Sequence, residues 1–183
     1  MIQRQGRGLG RFALAGTLIA GALLVSAAPS GAAVTEPAPP AAANAASKAQ
    51  GSFGPYGYRG VKLGMTARQA TATGQIVLKW RDHCSAWDFK AHRNPRDKVG
   101  LYISKRRGVA VIFAPAKART PKGIGIGSTL AQVKKAYPGL KQGPNFPYVS
   151  VPGNPKAHYY FLVDDHDRVY ELALALKNQD CVN

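Results

Sequence analysis

Val61-Lys-Leu-Gly-Met-Thr-Ala-Arg-Gln-Ala70 and Ile124-Gly-Ile-Gly-Ser-Thr-Leu-Ala-Gln-Val133 are two versions of one phrase, set 63 positions apart. Gly64 aligns with Gly127, Thr66 with Thr129 and Gln69 with Gln132. A threonine followed three residues later by glutamine is a capping box. The hydroxyl takes the N–H three residues on, and the glutamine reaches back to the N–H of the cap. Each phrase therefore predicts a helix start after a short apolar entry ending in glycine. In the second copy Leu130, Val133 and Tyr137 recur on one helical face, and Pro138-Gly139 ends the run. In the first, Gly74 is the natural C-cap, and Thr71 and Thr73 leave that helix little bulk.

Strand patterns follow each helix start. Val109, Val111 and Phe113 alternate with Ala110, Ile112 and Ala114, after Val99 to Ile103 and a Lys105-Arg-Arg-Gly108 turn. Farther on, Tyr159 to Val163 and Arg168 to Leu176 flank Asp164-Asp-His-Asp167. In the last run Tyr170, Leu172, Leu174 and Leu176 share one parity, against Val169, Glu171, Ala173 and Ala175. Helix starts followed by hairpins predict an α+β fold of two tandem units, each a short helix followed by an antiparallel β-sheet. Their limits are 53–118 and 119–183.

Ahead of this domain stands an export leader. Arg4, Arg7 and Arg11 precede an uncharged stretch from Phe12 to Ala28, then small residues to Ala33. That is the order of a secretory signal peptide, predicted to span 1–33. The apolar run sits at the short limit of the roughly 17–25 residues that cross a bilayer, which favours cleavage over a retained anchor. Residues 34–52 carry Pro37, Pro39, Pro40 and many alanines, and read as a disordered linker. A basic domain, 53–183, remains.

Export bears on the two cysteines, Cys84 and Cys181. An even count outside the cell predicts a disulfide, closing most of the domain into one loop. The chain has 25 Lys and Arg against nine Asp and Glu, a formal charge of +16. Without the leader the excess is 13. Such a field draws polyanions. Outside the cell it points to anionic wall polymer or a protein surface rather than nucleic acid. Trp80, Arg81, Trp87, Lys105, Arg106 and Arg107 are the candidate interaction face, with Tyr56, Tyr58 and Tyr148 as further aromatics near basic residues.

No motif points to catalysis, a cofactor or a metal. Asp164-Asp-His-Asp167 lacks the glycine and closing glutamate of a calcium loop and reads as a hairpin turn. Gly123-Ile-Gly-Ile-Gly127 lacks the Lys-Ser/Thr of a phosphate loop. His83, His92, His158 and His166 have no metal-ligand spacing. Asp82 and Asp88 are a weak carboxylate pair.

The Gly64-Met-Thr-x-x-Gln69 phrase resembles the repeat unit of the β-lactamase inhibitor protein family, and is similar to that of small outer-membrane assembly lipoproteins. Gly125 to Pro138 resembles a segment of exported actinomycete proteins. The resemblance implies a tandem helix-plus-sheet unit used for protein binding. The chain departs from it in lacking a lipid-attachment cysteine and in having one bridge between its halves. The expected function is a secreted, non-enzymatic interaction module for a protein or anionic envelope polymer. Its rivals are a hydrolase assembled from Asp88, His158 and Asp164, and a purely structural envelope domain.

Overall fold

A computed structural model describes residues 52–182. The expected leader, and the linker as far as residue 51, lie outside the described residues. Ser52, the linker's last residue, already pairs with Arg119. Among the described residues no helix is long and apolar enough to cross a membrane.

A two-stranded hairpin, β1 (Gly57–Tyr58) and β2 (Val61–Lys62), leads into helix α1 (Ala67–Ala72). Four strands follow: β3 (Ile76–Trp80), β4 (Cys84–Phe89), β5 (Leu101–Ser104) and β6 (Gly108–Phe113). Then come helix α2 (Leu130–Ala136) and β7 (Lys141–Gln142), β8 (Pro147–Val151), β9 (Asn154–Val163) and β10 (Val169–Leu176). Both helices begin at complete capping boxes. Thr66 and Thr129 each accept from the backbone of Gln69 and Gln132, whose side chains return the bond. Gly64 and Gly127, with φ of 80° and 85°, make the left-handed step before each box.

The expected α+β division into two helix-plus-sheet units is overturned. The protein is mostly β. Its helices hold six and seven residues, and eight strands form one antiparallel sheet in the order β3-β4-β5-β6-β10-β9-β8-β7. The pairing of β6 with β10, through Ala173 opposite Phe113 and Ala175 opposite Val111, carries the sheet across the expected boundary at 118/119. A capping box announces where a helix starts and says nothing of its length. β3 and β4 escaped the sequence reading because Lys79, Arg81, Asp82 and His83 break the apolar run around their turn.

Two bulges set which side chains share a face. The β5–β6 register shifts between Tyr102 and Ile103, so Val109 and Ile112 both face the helix-side core, while Ala110, Val111 and Phe113 face the other way. In β10 the shift falls between Val169 and Glu171. Val169 joins the core and Tyr170 stands out, 53% exposed, rather than sharing a face with Leu172 and Leu174. The helix-side core holds Phe89, Leu101, Tyr159, Phe161, Leu172 and Leu174, closed by Ala70 and Val133 from the helices. The N-terminal segment seals it: Tyr159 Oη donates to the Phe53 carbonyl at 3.0 Å and Asn154 Nδ2 to that of Pro55 at 2.8 Å.

Candidate functional site

The opposite face of the sheet carries no helix. Cross-strand register lays its side chains out in rows. One row runs Phe113, Ala173, Tyr160, Tyr148, and the next Tyr102, Val111, Ala175, His158, Ser150. Small residues occupy the centre and rings stand on both sides, so the face is a trough. Tyr148 lies 4.8 Å from the His158 ring and 5.8 Å from that of Tyr160, and Tyr102 lies 6.1 Å from Phe113. The resulting groove has a volume of about 580 Å³. Gly143 to Phe146, the β7–β8 turn, form one wall.

The C-terminal tail lines the groove with Lys177, Gln179 and Val182. Gln179 shapes it, its Oε1 accepting from Cys181 N at 2.9 Å and Val182 N at 3.0 Å. Cys181 and Val182 pack on Ala110, Val111, Ala173 and Ala175. A disulfide joins Cys181 to Cys84 at the start of β4, with Cα atoms 5.6 Å apart. The tail therefore crosses the sheet from β10 toward β4. Disulfides of this kind persist in oxidising compartments.

Burial shifts the ionisable groups that line the groove. Burial, then Lys177 and Lys141, hold the His158 imidazole below its usual value, and its Nδ1 sits 3.3 Å from Tyr160 Oη. Burial raises the Tyr160 phenol, with Tyr148 adding to the shift, and raises the Glu171 carboxyl against the pull of Lys98. His92, bonded to Tyr58 Oη at 3.0 Å, is also lowered, by burial and then by Arg59.

These shifts predict a pH dependence of stability. A histidine depressed in the fold stabilises it above the unfolded value, about pH 6.5, and that stability is lost as pH falls through the folded value. Glu171, raised in the fold, acts the other way: its contribution is present below the ordinary carboxylate value and lost as pH rises through the raised one. Urea midpoints are expected to fall from about pH 7.5 to pH 5 in the native protein, and to fall less in a His92→Gln/His158→Gln variant. Equal pH slopes would contradict the assignment.

The other sequence-selected residues are scattered. Trp87 is packed in the core, 8% exposed, its Nε1 donating to Ser85 Oγ at 2.9 Å, and its remaining surface lines a depression with Arg68 and Arg81. Trp80 is exposed at the end of β3, with Lys79 Nζ 5.5 Å from its ring. Arg81 and Lys105 border a depression beside α1, and Arg106 and Arg107 lie exposed in the β5–β6 turn. Tyr58 is buried, whereas Tyr56 is exposed and bonds the Gly153 carbonyl. Tyr148 alone of those aromatics reaches the groove. The signal for its companions was the alternation in β9, where His158, Tyr160 and Leu162 oppose Ala157, Tyr159 and Phe161.

The rival hydrolase residues do not meet. Asp88 on β4 and His158 on β9 stand four strands apart, roughly 19 Å, and Asp164 lies six residues beyond His158, about 20 Å along the strand. Asp164 Oδ1 accepts from His166 N and Arg168 N at 3.0 and 2.8 Å, closing the β9–β10 turn. The N–H groups of Gly123, Gly125 and Gly127 bond Thr120 O, Ser128 Oγ and Val169 O, leaving no phosphate cradle. Among the described residues the sole metal-like grouping is Cys84, Asp180 and Cys181, which is the disulfide itself.

No family model and no curated protein matches the chain. Among solved structures it is similar to the uncharacterized protein YfeY of Escherichia coli, at 14% identity and a TM-score of 0.41, over 68% of this chain and 99% of that one.

Proposed function

We propose that the protein is an exported, non-enzymatic binding module that takes an extended segment of a partner protein in the groove of the helix-free face. The observation carrying this reading is the row of half-buried rings, Phe113, Tyr148, His158 and Tyr160, around a floor of Val111, Ala173 and Ala175. Rings held this way offer large contact area with little side-chain entropy left to lose. A groove with this lining accepts apolar side chains, and Lys177 at its rim suits an acidic neighbour on the partner. Protein binding is also what the Gly64 to Gln69 resemblance implies.

Panning a random peptide library on the full chain tests the reading, with a Tyr148→Ala/Tyr160→Ala variant as counter-selection. Convergent peptides are expected, binding the native protein about 10–30-fold more tightly than the variant. Peptides that fail to converge, or that bind both equally, would remove the groove from function.

A further inference from the structure

The strands of an antiparallel sheet reverse at each turn, so the β3–β4 turn (Arg81 to His83) and the β5–β6 turn (Lys105 to Arg107) emerge at the same end. Helix α1 is pinned to that end as well. Gly64 N donates to the Val109 carbonyl at 2.9 Å and Val109 N to that of Met65 at 2.8 Å, and Arg68 comes to lie beside Arg81 of the β3–β4 turn. Two adjoining depressions result, of about 540 and 550 Å³, sharing Ala67 and Arg81. His83, Ser85, Ser104 and Lys105 line the first, and Arg68 and Thr71 the second.

The cations here are unspent. Between residues 52 and 182 there are 21 Lys and Arg against eight Asp and Glu, yet one ion pair forms among the described residues, Lys79 with Asp88. The side chains of Arg68, Arg81, Lys105, Arg106 and Arg107 make no hydrogen bond there either. Asp82, the one acid lining these depressions, is engaged through Oδ1 with His83 N at 2.7 Å. The turn presenting the basic run is rigid, since Ser104 Oγ accepts from Arg106 N at 3.0 Å and Arg107 N at 3.1 Å. That leaves the Ser104 hydroxyl proton to be donated. The two turns are two strand spacings apart, about 10 Å, too wide for one phosphate to bridge and suited to a chain of them.

We propose that this end of the sheet is a second binding site, separate from the groove, and that it takes a phosphodiester polyanion of the cell envelope. The cations are spread over two turns and a helix around open depressions, an arrangement that a flexible polymer can follow from one cation to the next. None of its residues lines the groove, so either site can fail without the other.

Synthetic poly(glycerol phosphate), a phosphodiester chain, is the probe, titrated against the full chain at several salt concentrations. Two variants change net charge equally: Arg81→Glu/Lys105→Glu at the site, and Lys134→Glu/Lys135→Glu on the exposed face of α2. The first is expected to bind about 10-fold or more weakly, with the slope of log affinity against log salt reduced by about two. The second is expected to change affinity by less than about 3-fold, and Tyr148→Ala/Tyr160→Ala not at all. Equal losses in the two charge variants would reduce the site to diffuse attraction by net charge. Loss in neither, or retention on phosphatidylglycerol vesicles without poly(glycerol phosphate) binding, would overturn it.

Discussion

Replacing Cys84 and Cys181 together with alanine is expected to lower the unfolding free energy by about 4–5 kcal/mol. The bond links residues separated by 97 positions, so most of the domain is one covalent loop. Its removal releases loop-closure entropy in the unfolded chain, the term that grows with loop length. For a domain of this size the melting temperature should drop by roughly 12–20 °C. The native sheet should persist, because β4 is held on both sides by β3 and β5. The tail should not, since its remaining anchors are a few bonds such as Lys177 N to the Lys156 carbonyl and the contact of His83 Nε2, 3.2 Å from the Asp180 carbonyl. Amide exchange at Cys181 and Val182 reports that release. A loss under about 1 kcal/mol would mean that the reduced chain keeps the loop closed by packing alone.

Asp88→Ala is expected to cost about 3–5 kcal/mol, the scale of breaking a buried ion pair from one side. Asp88 is 2% exposed within β4. Its carboxylate meets Lys79 Nζ at 3.3 Å and accepts from Gly100 N at 3.0 Å, Asn94 N at 3.1 Å and Asn94 Nδ2 at 2.8 Å. Lys79 Nζ in turn donates to the carbonyls of Asn94, Pro95 and Lys98. One pair of side chains thus organises the β4–β5 loop from both its donors and its acceptors. Alanine leaves a mostly buried ammonium without its counter-charge and orphans both Asn94 donors, while Gly100 N keeps the Trp87 carbonyl. Asp88→Asn keeps an acceptor oxygen and should cost less, about 1–3 kcal/mol. Exchange protection across the loop should be lost in the alanine variant before the rest of the sheet opens. An alanine variant as stable as the native protein would contradict the assigned role.

Local chemistry was the legible part of this chain. The capping boxes at Thr66/Gln69 and Thr129/Gln132, the turn at Asp164 and the bridge between Cys84 and Cys181 each follow from a few residues whose bonds are short-range or whose number leaves one partner. The sheet did not follow in the same way. Joining β6 to β10 is a pairing across about 60 residues, and no local pattern encodes it. Bulges at Ala110 and Tyr170 then reverse parity within strands that read as regular, which moved Val109 away from Val111 and Tyr170 out of the core.

The groove stayed hidden for the same reason. Its rings come from β6, β8 and β9, and only the register brings them together. Asp88 was legible as a carboxylate but not as a loop organiser, because its partners Asn94 and Gly100 are supplied by the loop itself. Trp87, an aromatic among basic residues, is mostly buried because its strand parity, not its neighbours in sequence, decides its side.

The groove as a protein-binding face is tested most directly by photo-crosslinking. A benzophenone side chain is placed at Tyr160 in the groove or at Tyr170 on the exposed bulge, in the full chain incubated with envelope extract. One discrete protein adduct is expected from position 160, suppressed by Tyr148→Ala and by a peptide selected on the groove, with none from position 170. The same adducts from both positions, or none from 160, would contradict the account.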